Sequence, residues 1–340
     1  MRVFPLVTVL LAIPCYGTGT KQPHAFALDA YETAPSSDEA SLVTPSGERC
    51  RALVVLEPEP SADALRALAD QLRVCGFVYL APGSAVDKDW VSATHASVAA
   101  FWDGFKRDNA LARRYATPIP AGGKRVDIVM PQQRGPRSPF NASLFGAFAP
   151  ALFRLFDASL ADCCSLQMMV VKNALKYTAT GNPDVDGHEQ TWHDDSLPGL
   201  FDEQIGVAVA LHDMTTGLIA VQPGCFPPVG FHHRLAAADA APPAADAPPC
   251  YATPGYVPAR VAAGTVLVHR ARLRHRGLWN YGPNATRFML QLNVAPSHGW
   301  QEVFAEKTAH GRGEWAEIHG AHRAAFARRL AEVRELCADT

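Results

Sequence analysis

The 340-residue sequence has no block of Lys or Arg, no long apolar run, no Cys-x-x-Cys pair and no internal repeat. Each absence removes a class of protein. With 31 Lys+Arg against 33 Asp+Glu the net charge is −2, and without clustered basic charge there is no electrostatic footprint for phosphate, so no nucleic-acid partner is expected. A transmembrane helix needs about 20 consecutive apolar residues, so no membrane span is expected. A structural zinc site built from two Cys-x-x-Cys knuckles has no basis. What the chain does have is 48% hydrophobic residues, enough for one large domain or two small ones. Its 27 prolines exceed the average usage of about 5%, and their uneven spread marks loops.

The N-terminus predicts the compartment. Met1-Arg2 is a small positive start, residues 3–14 are apolar apart from Thr8 and prolines, and Cys15-Tyr16-Gly17 offers a cleavage site. Residues 1–17 therefore read as a secretory signal peptide, giving the endoplasmic reticulum lumen or the exterior as destination. Two sequons, Asn141-Ala142-Ser143 and Asn284-Ala285-Thr286, fit that route. Beyond Cys15 stand seven cysteines, so at least one is free or pairs with another chain. Cys225 and Cys250 flank the most loop-like segment and are the first pair expected to bridge.

Residues 18–50 carry Gly, Ser, Pro, Thr and scattered charge without periodicity and read as a linker. The fold is expected after Cys50 as a helical entry module over 51–160. Ser61-Ala62-Asp63 offers an N-cap to a helix with Leu65, Leu68 and Leu72 on one face, ending near Cys75-Gly76. A strand at 77–80, a helix over 87–105 and a helical stretch ending near Leu160 complete the module. From 161 to 300 the pattern turns to short strands at 166–177, 205–211, 218–221, 264–268 and 288–294, which suggest a sandwich or barrel. The expected fold class is mainly β with flanking helices (α+β). The Ala/Pro-rich insertion 232–258, densest at 235–249, reads as a mobile surface loop, and 301–340 as a closing helix.

The chemistry gathers around His193-Asp194-Asp195. In an extended segment, residues two apart share a face, so His193 and Asp195 point the same way. A surface His followed by carboxylates would look the same, but His275 and Arg287 follow on later β elements, with Arg287 opening the alternation Arg287, Met289, Gln291, Asn293. Two neutral imidazoles and one carboxylate leave open positions on a ferrous ion, and a guanidinium fork suits a carboxylate co-substrate. His269 competes with His275 for the second imidazole, because both follow the strand opening at Gly264. His188, His212, His232, His233 and His298 read as solvated or supporting histidines, and Trp192 and Trp279 as packing residues. Gln190 and Tyr177 are candidate polar contacts to a co-substrate.

The ordered landmarks Glu189-Gln190-Thr191-Trp192-His193-Asp194-Asp195, Leu211-His212-Asp213-Met214-Thr215-Thr216-Gly217-Leu218, Gln222-Pro223-Gly224-Cys225, Gly264-Thr265-Val266-Leu267-Val268 and His275-Arg276-Gly277-Leu278-Trp279-Asn280, ending in Arg287, resemble phytanoyl-CoA dioxygenase-like proteins of the Fe(II)/2-oxoglutarate-dependent dioxygenase superfamily. The resemblance spans about residues 75–296. It implies a double-stranded β-helix core, Fe(II), and 2-oxoglutarate as co-substrate, with His193, Asp195 and His275 as catalytic metal ligands and Arg287 as the co-substrate clamp. It further implies hydroxylation of a C–H bond coupled to decarboxylation of 2-oxoglutarate to succinate. Asp195 favours hydroxylation, or a desaturation by the same oxidant, over halogenation, which needs a vacant position where the carboxylate binds. The family's usual Pro-Gly-Ser-His is here Pro223-Gly224-Cys225-Phe226, so the role of that Ser or His is absent or moved. The expected substrate is a small molecule or a peptide. Acyl-CoA is disfavoured, since the loop 226–258 lacks a basic cluster for phosphates. Two other readings remain: a lumenal prolyl or lysyl hydroxylase, suggested by the secretory route and the twelve-residue step from His275 to Arg287, and a non-catalytic metal- or ligand-binding β-barrel.

Overall fold

The computed structural model describes residues 39, 42–107, 116–118, 125–129, 147–159, 168–178, 192–195, 204–214, 219–227, 255–278, 287–296 and six residues between 328 and 335, all six helical. Segments 101–107, 116–118, 125–129 and 168–178 are described as backbone alone.

Helix α1 (Ala62–Val74) forms where its pattern predicts. The Ser61 hydroxyl accepts the Ala64 N–H at 3.1 Å, satisfying one of the first-turn donors that a helix cannot pair internally. Leu65, Leu68, Ala69 and Leu72 are its buried stripe, and Cys75 caps its end. Gly76 then turns the chain at φ +84°, a conformation that favours glycine. Helices α2 (Lys88–Arg107) and α3 (Pro150–Ser159) follow.

Among the described residues, nine strands form two antiparallel sheets. The larger joins β1 (Phe77–Leu80), β2 (Ala116–Pro118), β3 (Arg125–Val129), β4 (Met168–Thr178), β5 (Ile205–Ala210), β7 (Val266–Arg270) and β9 (Arg287–Pro296) in the order β1-β7-β5-β9-β4-β3-β2. The smaller pairs β6 (Ile219–Val221) with β8 (His275–Gly277). The architecture is thus sheet-rich with a few helices. Strands β2, β3 and β8 are too short or too polar to have been expected.

Side-chain alternation divides the large sheet's two faces. Val78 and Leu80 of β1, Val207 and Val209 of β5, Val266 and Val268 of β7, and Leu290 and Leu292 of β9 pack with Leu65, Leu68 and Leu72 of α1 and Phe153 and Phe156 of α3. Their neighbours, Phe77, Tyr79, Ala208, Ala210, Leu267 and Met289, form a second core with Ile219 and Val221 of β6. Tyr79 ties the two sheets directly, its hydroxyl donating to the Ile219 carbonyl at 2.7 Å. The second face of the large sheet therefore looks toward the small sheet, and Arg287, Met289 and Gln291 share it by parity.

The linker reading of 18–50 fails at its C-terminal end. Val43 and Arg49 bridge in antiparallel fashion, and Leu42 and Cys50 are buried in the core between the sheets. The physical reason is a disulfide from Cys50 to Cys75 at the end of α1. Cys225 is also disulfide-bonded, while Cys250 lies outside the described residues, as do 1–17 and 235–249. No described helix is long and apolar enough to cross a membrane.

The Cys50–Cys75 crosslink closes a 25-residue separation, which in the chain-entropy view stabilises the fold by about 3 kcal/mol. A C50S/C75S chain should lose stability of that order in urea unfolding under non-reducing conditions; an unchanged midpoint would show that the bridge is dispensable.

Candidate metal centre

The site begins with one short backbone pairing. His193 and His275 exchange both main-chain hydrogen bonds, N–H to O, at 2.9 and 2.8 Å, forming an antiparallel bridge beside β8. Directly opposed residues put their side chains on the same face, and the two imidazole centroids lie 4.6 Å apart. Asp195, two residues beyond His193, is anchored by its N–H to the Ala271 carbonyl at 2.8 Å. Its carboxylate oxygens lie 3.8 Å from His193 Nε2 and 3.7 Å from His275 Nε2. Those gaps exceed hydrogen bonds. One ligand atom from each residue lies within 4.8 Å of the other two, so two nitrogens and one oxygen converge on a common volume.

The donor chemistry fits a divalent transition metal. The Nδ1 of His275 lies 2.8 Å from the Leu273 carbonyl, and donation to that oxygen leaves the Nε2 lone pair facing Asp195. This backbone hold on the second ring nitrogen is the usual way a ligating histidine has its tautomer fixed. Burial pushes the His275 imidazole down to about 3, outweighing the pull of the Asp195 carboxylate, with His193 and His269 lowering it further. It is therefore neutral at physiological pH, as ligation requires. The site opens to one side, because the His193 and Asp195 side chains are each 29% exposed while His275 is 4% exposed.

The structure separates the two competing histidines. His269 sits in β7 of the large sheet and His275 in β8 of the small one, linked by the turn at 271–273. Their rings approach to 4.8 Å, yet only His275 faces Asp195 in the three-residue group. The His269 ring packs against Gly206, its register partner on β5. A Cβ at Gly206 would fall 2.3 Å from His269 Nε2 and 2.6 Å from Cε1, so glycine leaves room for the ring that backs His275. A glycine inside an apolar strand run is the sequence signal of such a close approach.

Arg287 is buried at the start of β9, and its Nη2 donates to the Leu278 carbonyl at 2.6 Å, three residues beyond His275. The next residue is pinned by His212, whose Nε2 accepts the Phe288 N–H at 3.1 Å while Nδ1 lies 2.9 Å from the Asp213 carbonyl. His212 thus braces the strand that carries Arg287. Tyr177 is the register partner of Phe288, whereas Thr178 pairs with Arg287. Gln190 lies outside the described residues. Gln291, which entered the sequence reading only as part of the β9 alternation, is buried with its side-chain oxygen unpartnered.

No protein-family model and no curated protein matches the sequence. Among solved structures, the chain is similar to AviO1 from Streptomyces viridochromogenes Tue57, with 18% identity over 68% of this chain and 95% of that one and a TM-score of 0.46. It is also similar to the epimerase SnoN in complex with Fe3+, alpha ketoglutarate and nogalamycin RO, with 18% identity, coverage of 69% and 85%, and a TM-score of 0.46. A third is the non-heme monooxygenase ThoJ as a nickel complex, with 20% identity, coverage of 68% and 80%, and a TM-score of 0.41.

Gly206→Ala should force the His269 ring toward His275. Overpacking of this kind costs about 1–3 kcal/mol, visible as a lower melting temperature together with weaker metal binding. An unaltered melting temperature would place the His269 ring elsewhere.

Proposed function

We propose that the chain is an Fe(II)- and 2-oxoglutarate-dependent oxygenase with a double-stranded β-helix core, hydroxylating a C–H bond of a small molecule or a peptide. The observation that carries the reading is the convergence of His193, Asp195 and His275 with one open side. Two imidazoles and one carboxylate are the donor set of non-haem ferrous oxygenases, which leave positions for a co-substrate and oxygen. When bound, iron with 2-oxoglutarate supplies the oxidising chemistry, and succinate and carbon dioxide leave.

The chain's own residues supply binding, orientation and exclusion. His275, buried and neutral, gives its Nε2 without having to lose a proton at physiological pH. Asp195 contributes the negative charge that partly offsets a divalent cation. Arg287 stands on the face of the large sheet that looks toward the small one, and its bond to Leu278 sets the orientation of a group carrying five donors. A guanidinium held in this way grips a carboxylate through two parallel hydrogen bonds, which a low-dielectric interior strengthens. The apolar core between the sheets, with Met289 one step from Arg287 along the same face, limits water around the reacting bond. Disulfide-bonded Cys50, Cys75 and Cys225 are chemistry of an oxidising compartment and support the secretory route. The phytanoyl-CoA dioxygenase-like assignment is supported by the ordered landmarks alone.

Purified protein supplied with Fe(II), 2-oxoglutarate and oxygen should release succinate slowly even without its substrate, and His275→Ala should abolish that release. Metal binding without succinate under any condition would favour the non-catalytic binding barrel. Arg287→Lys trades the bidentate fork for a point charge. Hydrogen bonds to charged groups are worth about 1.5–3 kcal/mol, so KM for 2-oxoglutarate should rise about 10- to 100-fold with the iron dissociation constant unchanged. An unchanged KM would remove Arg287 from the co-substrate site.

A further inference from the structure

We infer that Trp192, held by Arg274 and Arg276 on the reverse side of the small sheet, is a positioning residue that sets the spacing of the two imidazole ligands. The inference rests on the proposed metal centre. In the His193–His275 bridge the residue before His193 lies opposite the residue after His275, so Trp192 faces Arg276 and is diagonal to Arg274. Alternation sends the two imidazoles to one face and these three side chains to the other. The Arg276 guanidinium carbon lies 4.9 Å from the indole centroid and that of Arg274 lies 5.4 Å away.

The stack is fixed from several directions. Arg274 donates from Nη1 to Gln222 Oε1 at 2.6 Å, and its carbonyl accepts the Gln222 N–H at 3.0 Å. The far edge of the indole rests on Gly255, where a Cβ would lie 2.2 Å from Cη2. Trp192, Arg274 and Arg276 are all buried. Burying guanidinium groups is costly, and filling space behind a sheet would need only aliphatic side chains. An aromatic face returns part of that cost through cation–π attraction, which strengthens as water is excluded.

What the stack controls is the roll of one strand against the other. Among the described residues, 192–195 meet β8 at the His193–His275 bridge, and an isolated two-stranded pairing is marginal by itself. Rolling the segment about that bridge would separate the His193 and His275 rings while leaving the backbone bonds nearly intact. The three side chains on the reverse face oppose this motion, because the indole cannot tilt without leaving both guanidinium groups.

The test is a cobalt(II) titration of the full chain, followed by visible absorption, with thermal melting of each metal-free variant. Outer partners of metal ligands typically change affinity by about 10- to 100-fold, so Trp192→Leu should weaken cobalt(II) at least tenfold and alter the band shape. Trp192→Phe keeps an aromatic face and should recover affinity to within about threefold of wild type. Wild-type affinity and spectrum in Trp192→Leu would overturn the positioning role and leave the metal centre standing. Failure of the wild-type chain to bind cobalt(II) in a manner abolished by His275→Ala would overturn the centre and this inference together. Should Trp192→Leu not fold, Arg276→Met decides. Weaker binding and an altered spectrum at an unchanged melting temperature support the inference, and unchanged binding overturns it.

Discussion

The exchange of two backbone hydrogen bonds between His193 and His275 is the constraint on which the site depends. Main-chain bonds of this type fix which residues oppose one another, and opposition fixes which side chains share a face. One pairing therefore places two imidazoles side by side. Asp195 joins them because side chains repeat every two residues along an extended segment. The Asp195 N–H bond to Ala271 keeps that segment from swinging away. Three ligand atoms from two distant stretches of sequence are thus gathered by three main-chain bonds, with no side chain required to find its neighbour unaided.

A change of sheet explains why two histidines six residues apart have different roles. His269 lies one residue before the end of a strand of the large sheet and His275 begins one of the small sheet. The turn between them carries the chain from one layer to the other. His269 keeps to the large sheet's interior face, where Gly206 and Phe77 are its register partners, and it backs His275 as packed volume. On alternate positions stand Arg270, Arg272, Arg274 and Arg276, and each finds an electron-rich neighbour. Arg270 lies 5.7 Å from the centroid of Phe226, Arg272 donates to the Pro227 carbonyl at 3.3 Å, and the other two share Trp192. A segment that looks too basic for a packed sheet is tolerated because its guanidinium groups meet aromatic rings and carbonyl oxygens.

The sequence made some of this legible. Strands β1, β5 and β9 and helix α1 announced themselves by apolar period and by the Ser61 cap, and His193, Asp195, His275 and Arg287 stood out by chemistry and order. The Cys50–Cys75 bridge did not, because pairing among seven cysteines depends on which turns meet in space, and a loop-like composition drew attention to Cys225 and Cys250 instead. Strand β8 was hidden because Arg274-His275-Arg276 has no apolar period, its stability coming from register and aromatic contact. His269 and His275 could not be separated by spacing, since the deciding fact is which sheet each occupies. Trp192 read correctly as a packing residue, but its neighbours on the reverse face belong to a strand eighty residues away and leave no local trace.

The unequal burial of the ligands has an energetic consequence. His275 is fixed by its sheet, its Leu273 contact and the packing of His269, and these hold whether or not a cation is present. The His193 and Asp195 side chains are partly open to solvent. A cation bound by all three would join the two more exposed ligands to the buried one. Ligand binding to the folded state alone stabilises it by about 2.7 kcal/mol at one hundred times the dissociation constant. The backing stack of Trp192 and the metal therefore act on the same degree of freedom from opposite faces of one bridge. Restraint from the arginine side limits how far the ligands can open before a metal arrives, and ligation from the histidine side closes what remains.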